Sequence, residues 1–403
     1  MKQFLFFIVF IFSSLVAEDG YDPVSIYLTW TKSPESSMSV HWISPKADTE
    51  NRLFYRLLEE ENSPFQEVPS VNKQMPEGHP FLIHHVTLDQ LKPNSSYLFK
   101  ISGNGRLFKF KTMPENLNTP IRFVEGGDVY HGNMAIVEKM NRQAAKQNPS
   151  FAIIGGDIAY AADSSHGLFP EEFHRWMKWL TLWKNTMVTE EGFLIPILAT
   201  LGNHETSGGF GKTPSSAPFF YALFRAPSNQ SFQAIDFGNY MSLILLDSGH
   251  TQPISGKQTE WLESALKERV QMPYKFAIYH VPAYPSARKY HYEISQLVRS
   301  HWVPLFDAAE LTAAFEHHDH TYKRTFPLKN GRPHEKGVLY LGDGAWGVEK
   351  PRVPKRHLPY LARVLSVSHF ILVTLNPEAV TYEAINAKGD VIDRYVKKSQ
   401  NNL

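Results

Sequence analysis

The chain has 403 residues, no cysteine, and 41 Lys+Arg against 40 Asp+Glu. The absence of cysteine excludes disulfides, thiolate metal sites and a cysteine nucleophile, and the balanced charge argues against nucleic acid or an anionic membrane as main partner. With 42% apolar and 13% aromatic residues the chain can bury a large core, and its length suits two domains. Eighteen histidines then stand out, because any metal site must be built from nitrogen and oxygen donors, which suit iron, zinc or manganese.

Residues 1–17 combine Lys2, the apolar run Phe4 to Phe12 and a small residue at Ala17. This pattern predicts a cleaved signal peptide and a secreted or periplasmic protein, without stable membrane insertion. Residues 18–114 are strand-like. Val24 to Trp30, Met38 to Trp42, Leu53 to Leu57, His85 to Leu91, Tyr97 to Ile101 and Leu107 to Thr112 alternate with period two between Pro/Gly/Asn turns. They predict an all-β sandwich.

Residues 119–397 change to a β-α-β pattern. Ile121 to Val124 and Phe151 to Ile154 read as buried strands, Met134 to Gln147 as a helix, and Glu171 to Trp183 as a Trp-rich helix. Strands at Ile195 to Leu201, Ser242 to Leu246 and Lys275 to Tyr279, with a helix at Gln258 to Val270, continue the theme, and the C-terminal part returns to strands. The expected class is an α/β catalytic domain of two mixed sheets packed face to face and flanked by helices, with ligands at the C-terminal strand ends.

The chemistry-bearing residues follow apolar strands: Asp128, Asp157, Asn203-His204, His280 and the run His317-His318-Asp319-His320. Buried carboxylates and imidazoles must be paired or bound to metal, so so many such ends in one domain point to a metal centre.

The series Gly127-Asp128, Gly156-Asp157-Ile158-Ala159-Tyr160, Gly202-Asn203-His204-Glu205, Ala277-Ile278-Tyr279-His280 and His318-Asp319-His320 resembles the metal motifs of the calcineurin-like metallophosphoesterases. Within them it resembles the purple acid phosphatases, because Tyr160 follows the second aspartate by three residues and Tyr130 stands where the wider superfamily has histidine. The N-terminal segment resembles the fibronectin-III-like domain of the larger members, down to the Leu91-Lys92-Pro93 to Tyr97 corner.

The resemblance implies that Asp128, Asp157, Tyr160 and His320 hold Fe(III). Asp157 would bridge to a second divalent metal (iron, zinc or manganese) completed by Asn203, His280 and His318. It implies hydrolysis of phosphate monoesters by a hydroxide held between the metals. His204 would act as acid or hydrogen-bond donor toward the leaving group, with Glu205 orienting it, and His291 is the expected further catalytic histidine. The family's glycine before the first ligand histidine is His317 here, and His131 fills the space after Asp128. Loops 161–169, 208–218 and 346–361 are expected to frame the pocket. The implied partner is a small phosphate ester, and a homodimer is compatible with the chain. Two rivals share these features: a phosphodiesterase, nucleotide pyrophosphatase or phytase-like enzyme on the same centre, and an exported adhesion protein with a silent site.

Overall fold

The computed structural model describes residues 20–162, 172–224, 230–342, 344–355 and 357–399. The expected leader, 1–17, and residues 163–169 of the first expected pocket loop lie outside the described residues. Among the described residues no helix is long and apolar enough to cross a membrane.

The N-terminal strands are β1 (Ser25–Thr29), β2 (Met38–Pro45), β3 (Arg52–Leu57), β4 (Gln66–Pro69), β5 (Val71–Gln74), β6 (Phe81–Leu88), β7 (Ser96–Ile101) and β8 (Phe108–Lys111). They form two four-stranded antiparallel sheets, β1-β2-β6-β5 and β4-β3-β7-β8. Alternate residues such as Ile26, Leu28, Val40 and Trp42 meet Leu53, Phe99, Ile101 and Phe110 between the sheets. At the expected corner, the Lys92 backbone N–H donates to Tyr97 Oη (2.8 Å). The other face of β1 and β2 is also buried. There Tyr27 and Ile43 share a core with the catalytic-side helices, and Tyr27 Oη donates to Leu223 O (2.7 Å).

The remaining strands are β9 (Ile121–Gly126), β10 (Phe151–Ile154), β11 (Ile197–Ala199), β12 (Gln233–Phe237), β13 (Met241–Leu245), β14 (Tyr274–Ile278), β15 (Ala313–Glu316), β16 (Tyr322–Thr325), β17 (Leu328–Lys329), β18 (Arg332–Pro333), β19 (Leu339–Gly342), β20 (Leu361–Leu365), β21 (His369–Leu375), β22 (Ala379–Asn386) and β23 (Val391–Lys398). One mixed sheet has the order β11-β10-β9-β21-β22-β23 and the other β12-β13-β14-β15-β19-β16-β20. Strands β9, β10 and β11 run parallel, as do β13, β14, β15 and β19, so their C-terminal ends share one edge in each sheet.

The two sheets pack face to face, as expected. Phe123, Phe151 and Ile153 point inward to meet Phe276, Ile278 and Phe315, while Val124, Ala152 and Ile154 point outward. The period of two is what allows each buried strand to serve two cores. Helices α1 (Met134–Ala145) and α2 (Phe173–Thr186) cover the first outer face, with Trp176, Trp179 and Trp183 buried. Short α3 (Pro218–Leu223) lies in the same cluster. Helices α4 (Lys257–Glu268), α5 (Glu293–His301) and α6 (Val303–Ala308) cover the second outer face against Ala277, Tyr279 and Ala314.

Candidate metal centre

Each expected ligand leaves the C-terminal end of a parallel strand. Asp128 follows β9, Asp157 and Tyr160 follow β10, Asn203 and His204 follow β11, His280 follows β14, and His318 and His320 follow β15. Backbone bonds hold these ends in register: Asp128 N–H donates to Gly156 O (3.0 Å), Val129 N–H to Asp157 O (2.8 Å) and His317 N–H to His280 O (2.9 Å). Asp128, Asp157, Tyr160, His318 and His320 all have left-handed backbone, with φ of 55°, 50°, 50°, 74° and 58°. Strain of about 1–3 kcal/mol per such residue persists only where the surroundings demand the geometry, and it concentrates at functional sites.

The side chains converge. Asp157, His280 and His318 form one group and Asp128, Asp157 and His320 another, each with ligand atoms within 4.8 Å of one another. Tyr160 Oη joins the second, 3.0 Å from Asp128 Oδ1 and 3.1 Å from His320 Nε2. Asn203 Oδ1 joins the first, 3.2 Å from His280 Nε2. His280 donates through Nδ1 to Gly155 O (3.0 Å), which turns Nε2 toward the group. Gly344, at φ +63°, packs so close that a Cβ would lie 1.7 Å from Asp128 Oδ2.

These residues fit a pair of cations. Asp157 Oδ2 is buried without an aligned hydrogen bond and sits 3.2 Å from His280 Nε2, the placement of a shared ligand atom. One group offers carboxylate and phenol oxygens, hard donors for a trivalent ion, and the other imidazole and amide, suited to a divalent one. The local charges press the same way. Burial opposes charge on His280, yet Asp157 and Asp128 outweigh it and lift the imidazole to about 9. Burial, then Asp128 and Asp157, push the Tyr160 phenol well above its usual range. A phenolate there needs strong positive charge beside it.

Two family descriptions match the chain: "Purple acid Phosphatase, N-terminal domain" over residues 23–112 and "Calcineurin-like phosphoesterase" over residues 121–322. The chain belongs to the calcineurin-like phosphoesterases, in their purple acid phosphatase branch. It is 28% identical over 288 residues to Purple acid phosphatase 21 of Arabidopsis thaliana, covering 68% of this chain and 62% of the relative. Purple acid phosphatase 18 of the same plant is 24% identical over 279 residues, covering 65% and 58%. The match therefore spans less than two thirds of either relative. The fold of a purple acid phosphatase, PPD1 from yellow lupin seeds, superposes with a TM-score of 0.73 at 15% identity, covering 92% of this chain and 73% of that one.

The other expected residues surround this centre. His204 stacks on Tyr160 (ring centroids 4.3 Å) and its Nδ1 lies 3.2 Å from Ala162 O, so a carbonyl and a ring orient it. Glu205 does not contact that ring in any described bond. Its carboxylate instead accepts N–H groups of Ile158 (2.7 Å), Ala159 (3.2 Å) and Gly202 (3.1 Å), which pins the Asp157 loop to the β11 turn. Burial, then the Asp157 charge, lifts the Glu205 carboxyl to about 8 against those donors. His131 packs edge-on against Tyr160 and His320, each 5.1 Å away, at the mouth of the group.

His291, the expected further catalytic histidine, makes its described contacts elsewhere. It is exposed, packs edge-on against Tyr290 (5.2 Å) and lines a separate surface cavity with Tyr284 and Gln296; none of its described contacts reaches a ligand residue. In the loop after His280, Asp319 gathers the N–H groups of Ser286 (2.7 Å), Ala287 (2.6 Å) and Arg288 (3.1 Å). That loop brings Arg288 to His318, with Nη2 donating to its carbonyl (3.3 Å). Tyr292 lies nearly parallel to the His318 ring at 6.4 Å, and Phe210 stands edge-on to both.

His317, in place of the family's glycine, is wholly buried and paired with the equally buried Glu125 on β9. Its Nδ1 lies 2.9 Å from Tyr279 O; a carbonyl only accepts, so that nitrogen carries a hydrogen while Nε2 meets the carboxylate. The ring fits because Gly155 leaves room: a Cβ there would lie 1.8 Å from His317 Cε1. Glu125, Arg288, Tyr292 and Phe210 escaped the sequence reading. The signal available for Glu125 was a carboxylate near the end of an otherwise apolar strand.

Proposed function

We propose that this chain is an acid phosphatase hydrolysing phosphate monoesters at a pair of metal ions. The ions would be held by Asp128, Asp157, Tyr160 and His320 on one side and by Asp157, Asn203, His280 and His318 on the other. The observation that carries this reading is the sharing of Asp157 between two buried ligand groups. Bound there, Fe(III) beside divalent iron, zinc or manganese supplies Lewis acidity toward the phosphoryl oxygens and a water acidic enough to react below neutral pH.

The chain's own residues do the rest. His204 is fixed by Ala162 O and by stacking on Tyr160, and it holds a proton for the departing alcohol. Arg288, whose Nη2 donates to the His318 main-chain carbonyl (3.3 Å) and whose Nε faces Asp319 (3.3 Å), is the cation assigned here to a phosphoryl oxygen. Phe210 and Tyr292 wall that edge and exclude water from it. The rim is closed by the 346–361 loop, whose Arg352 N–H donates to His320 O (2.9 Å). The complete donor set speaks against a silent adhesion module. Export through the 1–17 leader belongs to this reading and is supported by the sequence pattern alone.

The test is hydrolysis of p-nitrophenyl phosphate by purified protein, followed against metal content. Two metals per chain and an activity that falls with chelation are expected. Equal turnover by metal-free protein overturns the reading.

A further inference from the structure

Strands β14 and β15, which lead to His280 and His318, begin beside a cavity of about 550 Å³. Leu266 from α4, Met272 from the following turn, and Leu305 and Ala309 from the α6 region give it an apolar side, and the charged Glu263, Lys267, Glu310 and Lys398 line it too. Lys275 at the start of β14 and Lys397 near the end of β23 both line it and are only 6% and 7% exposed.

The two ammonium groups are incompletely satisfied. Lys397 Nζ donates to Thr312 O (2.8 Å) and Gly337 O (2.7 Å), and Lys275 Nζ donates to Met272 O (3.0 Å). An ammonium has three N–H groups, so one remains on Lys397 and two on Lys275. Thr312 connects them, because its Oγ1 also accepts the Lys275 backbone N–H (3.0 Å). Glu310 is the carboxylate whose charge acts on both, and it forms no ion pair with either among the described residues. A buried cation without a paired anion is costly, and burial draws Lys397 down to about 8.

An apolar side next to two buried ammonium groups with spare N–H groups suits an amphiphile, and the volume falls within the roughly 300–1,000 Å³ of small-molecule sites. We propose that this cavity binds a small organic carboxylate with an apolar body. Its two oxygens meet the spare N–H groups of Lys275 and Lys397, and its chain lies along Leu266 and Leu305. The site is separate from the metal centre and does not rest on the phosphatase reading.

Calorimetric titration of the metal-loaded protein at pH 7, with inorganic phosphate present to occupy the metal centre, tests it. Octanoate is the probe and octanol its uncharged counterpart. One octanoate per chain is expected, with octanol at least tenfold weaker. Lys275→Met and Lys397→Met each weaken octanoate at least tenfold. If a variant fails to fold, the unmodified protein still decides: octanoate affinity must drop between pH 7 and pH 10 as Lys397 loses its charge. Octanol binding as tightly as octanoate, or an affinity indifferent to both lysine changes and to pH, overturns the proposal.

Discussion

Asp157 touches both ligand groups, and changing it asks more of the centre than changing any other ligand. Asp157→Asn keeps a side chain tolerant of left-handed backbone while removing the charge. Metal content is expected to fall from two per chain to less than one by elemental analysis, and retention of both ions would contradict the sharing. Tyr160→Phe removes the phenol that lies 3.0 Å from Asp128 and 3.1 Å from His320. An iron-loaded protein should then lose its visible phenolate-to-iron absorption, and an unchanged spectrum would exclude Tyr160 as ligand. The Glu125–His317 pair makes a third case. Glu125→Gln or His317→Gly strands one buried partner and should cost about 3 kcal/mol in chemical denaturation, whereas Glu125→Leu with His317→Gly should recover most of it. Additive losses in the double variant would show that the two do not act as a pair. The ligands were legible because each is a metal-binding type following an apolar strand. Glu125 was not, since its partner lies 192 positions away and no local pattern announces such a bond.

Elements with an apolar stripe were read from the sequence, and those without one were missed. Helices α1, α2 and α4 lie within a few residues of their expected spans, because each presents one buried face to a sheet. Strands β4 and β5 are almost wholly exposed, pair at sheet edges, and carry no alternation to find. Helices α5 and α6 are short and adjoin at Trp302, just before Pro304, so neither shows a long period. Between elements a polar chain was equally hidden: Trp346 Nε1 donates to Asn141 Oδ1 (2.9 Å), and Asn141 Nδ2 donates to Thr186 Oγ1 (2.9 Å). It ties α1 to α2 and to the loop after β19 inside an otherwise apolar layer. Asn141→Leu strands the indole N–H and should cost about 2 kcal/mol in denaturant unfolding. A change below a few tenths would mean that the chain only fills space.

At the scale of the whole molecule the β-sandwich and the paired sheets share one continuous core. Trp30 of the sandwich meets Phe151 and Phe237 edge-on at 5.8 and 5.6 Å, and Lys184 of α2 donates to Pro23 O (2.7 Å) while pairing with Asp22 (2.8 Å). This core also holds histidines in neutral form. Burial lowers His41 well below its ordinary value and brings His369 to about 4. The unfolded chain takes up these protons from about pH 6.5 downward while the folded chain does not. The stability these two histidines contribute is therefore full above pH 6.5 and lost as pH falls toward 4. Chemical denaturation at pH 7 and pH 4.5 should show a loss, of which His369→Phe abolishes about 2 kcal/mol; an unaltered pH slope in that variant would remove His369 from the account.

Lys275 and His280 stand five residues apart on one extended stretch, so the lysine-floored cavity and the metal centre are separated by at least the ~13 Å length of β14's backbone. An occupant of the first place never collides with an ester in the second. The two could be held by one chain at the same time, and any influence of one on the other would have to travel through the strand that joins them.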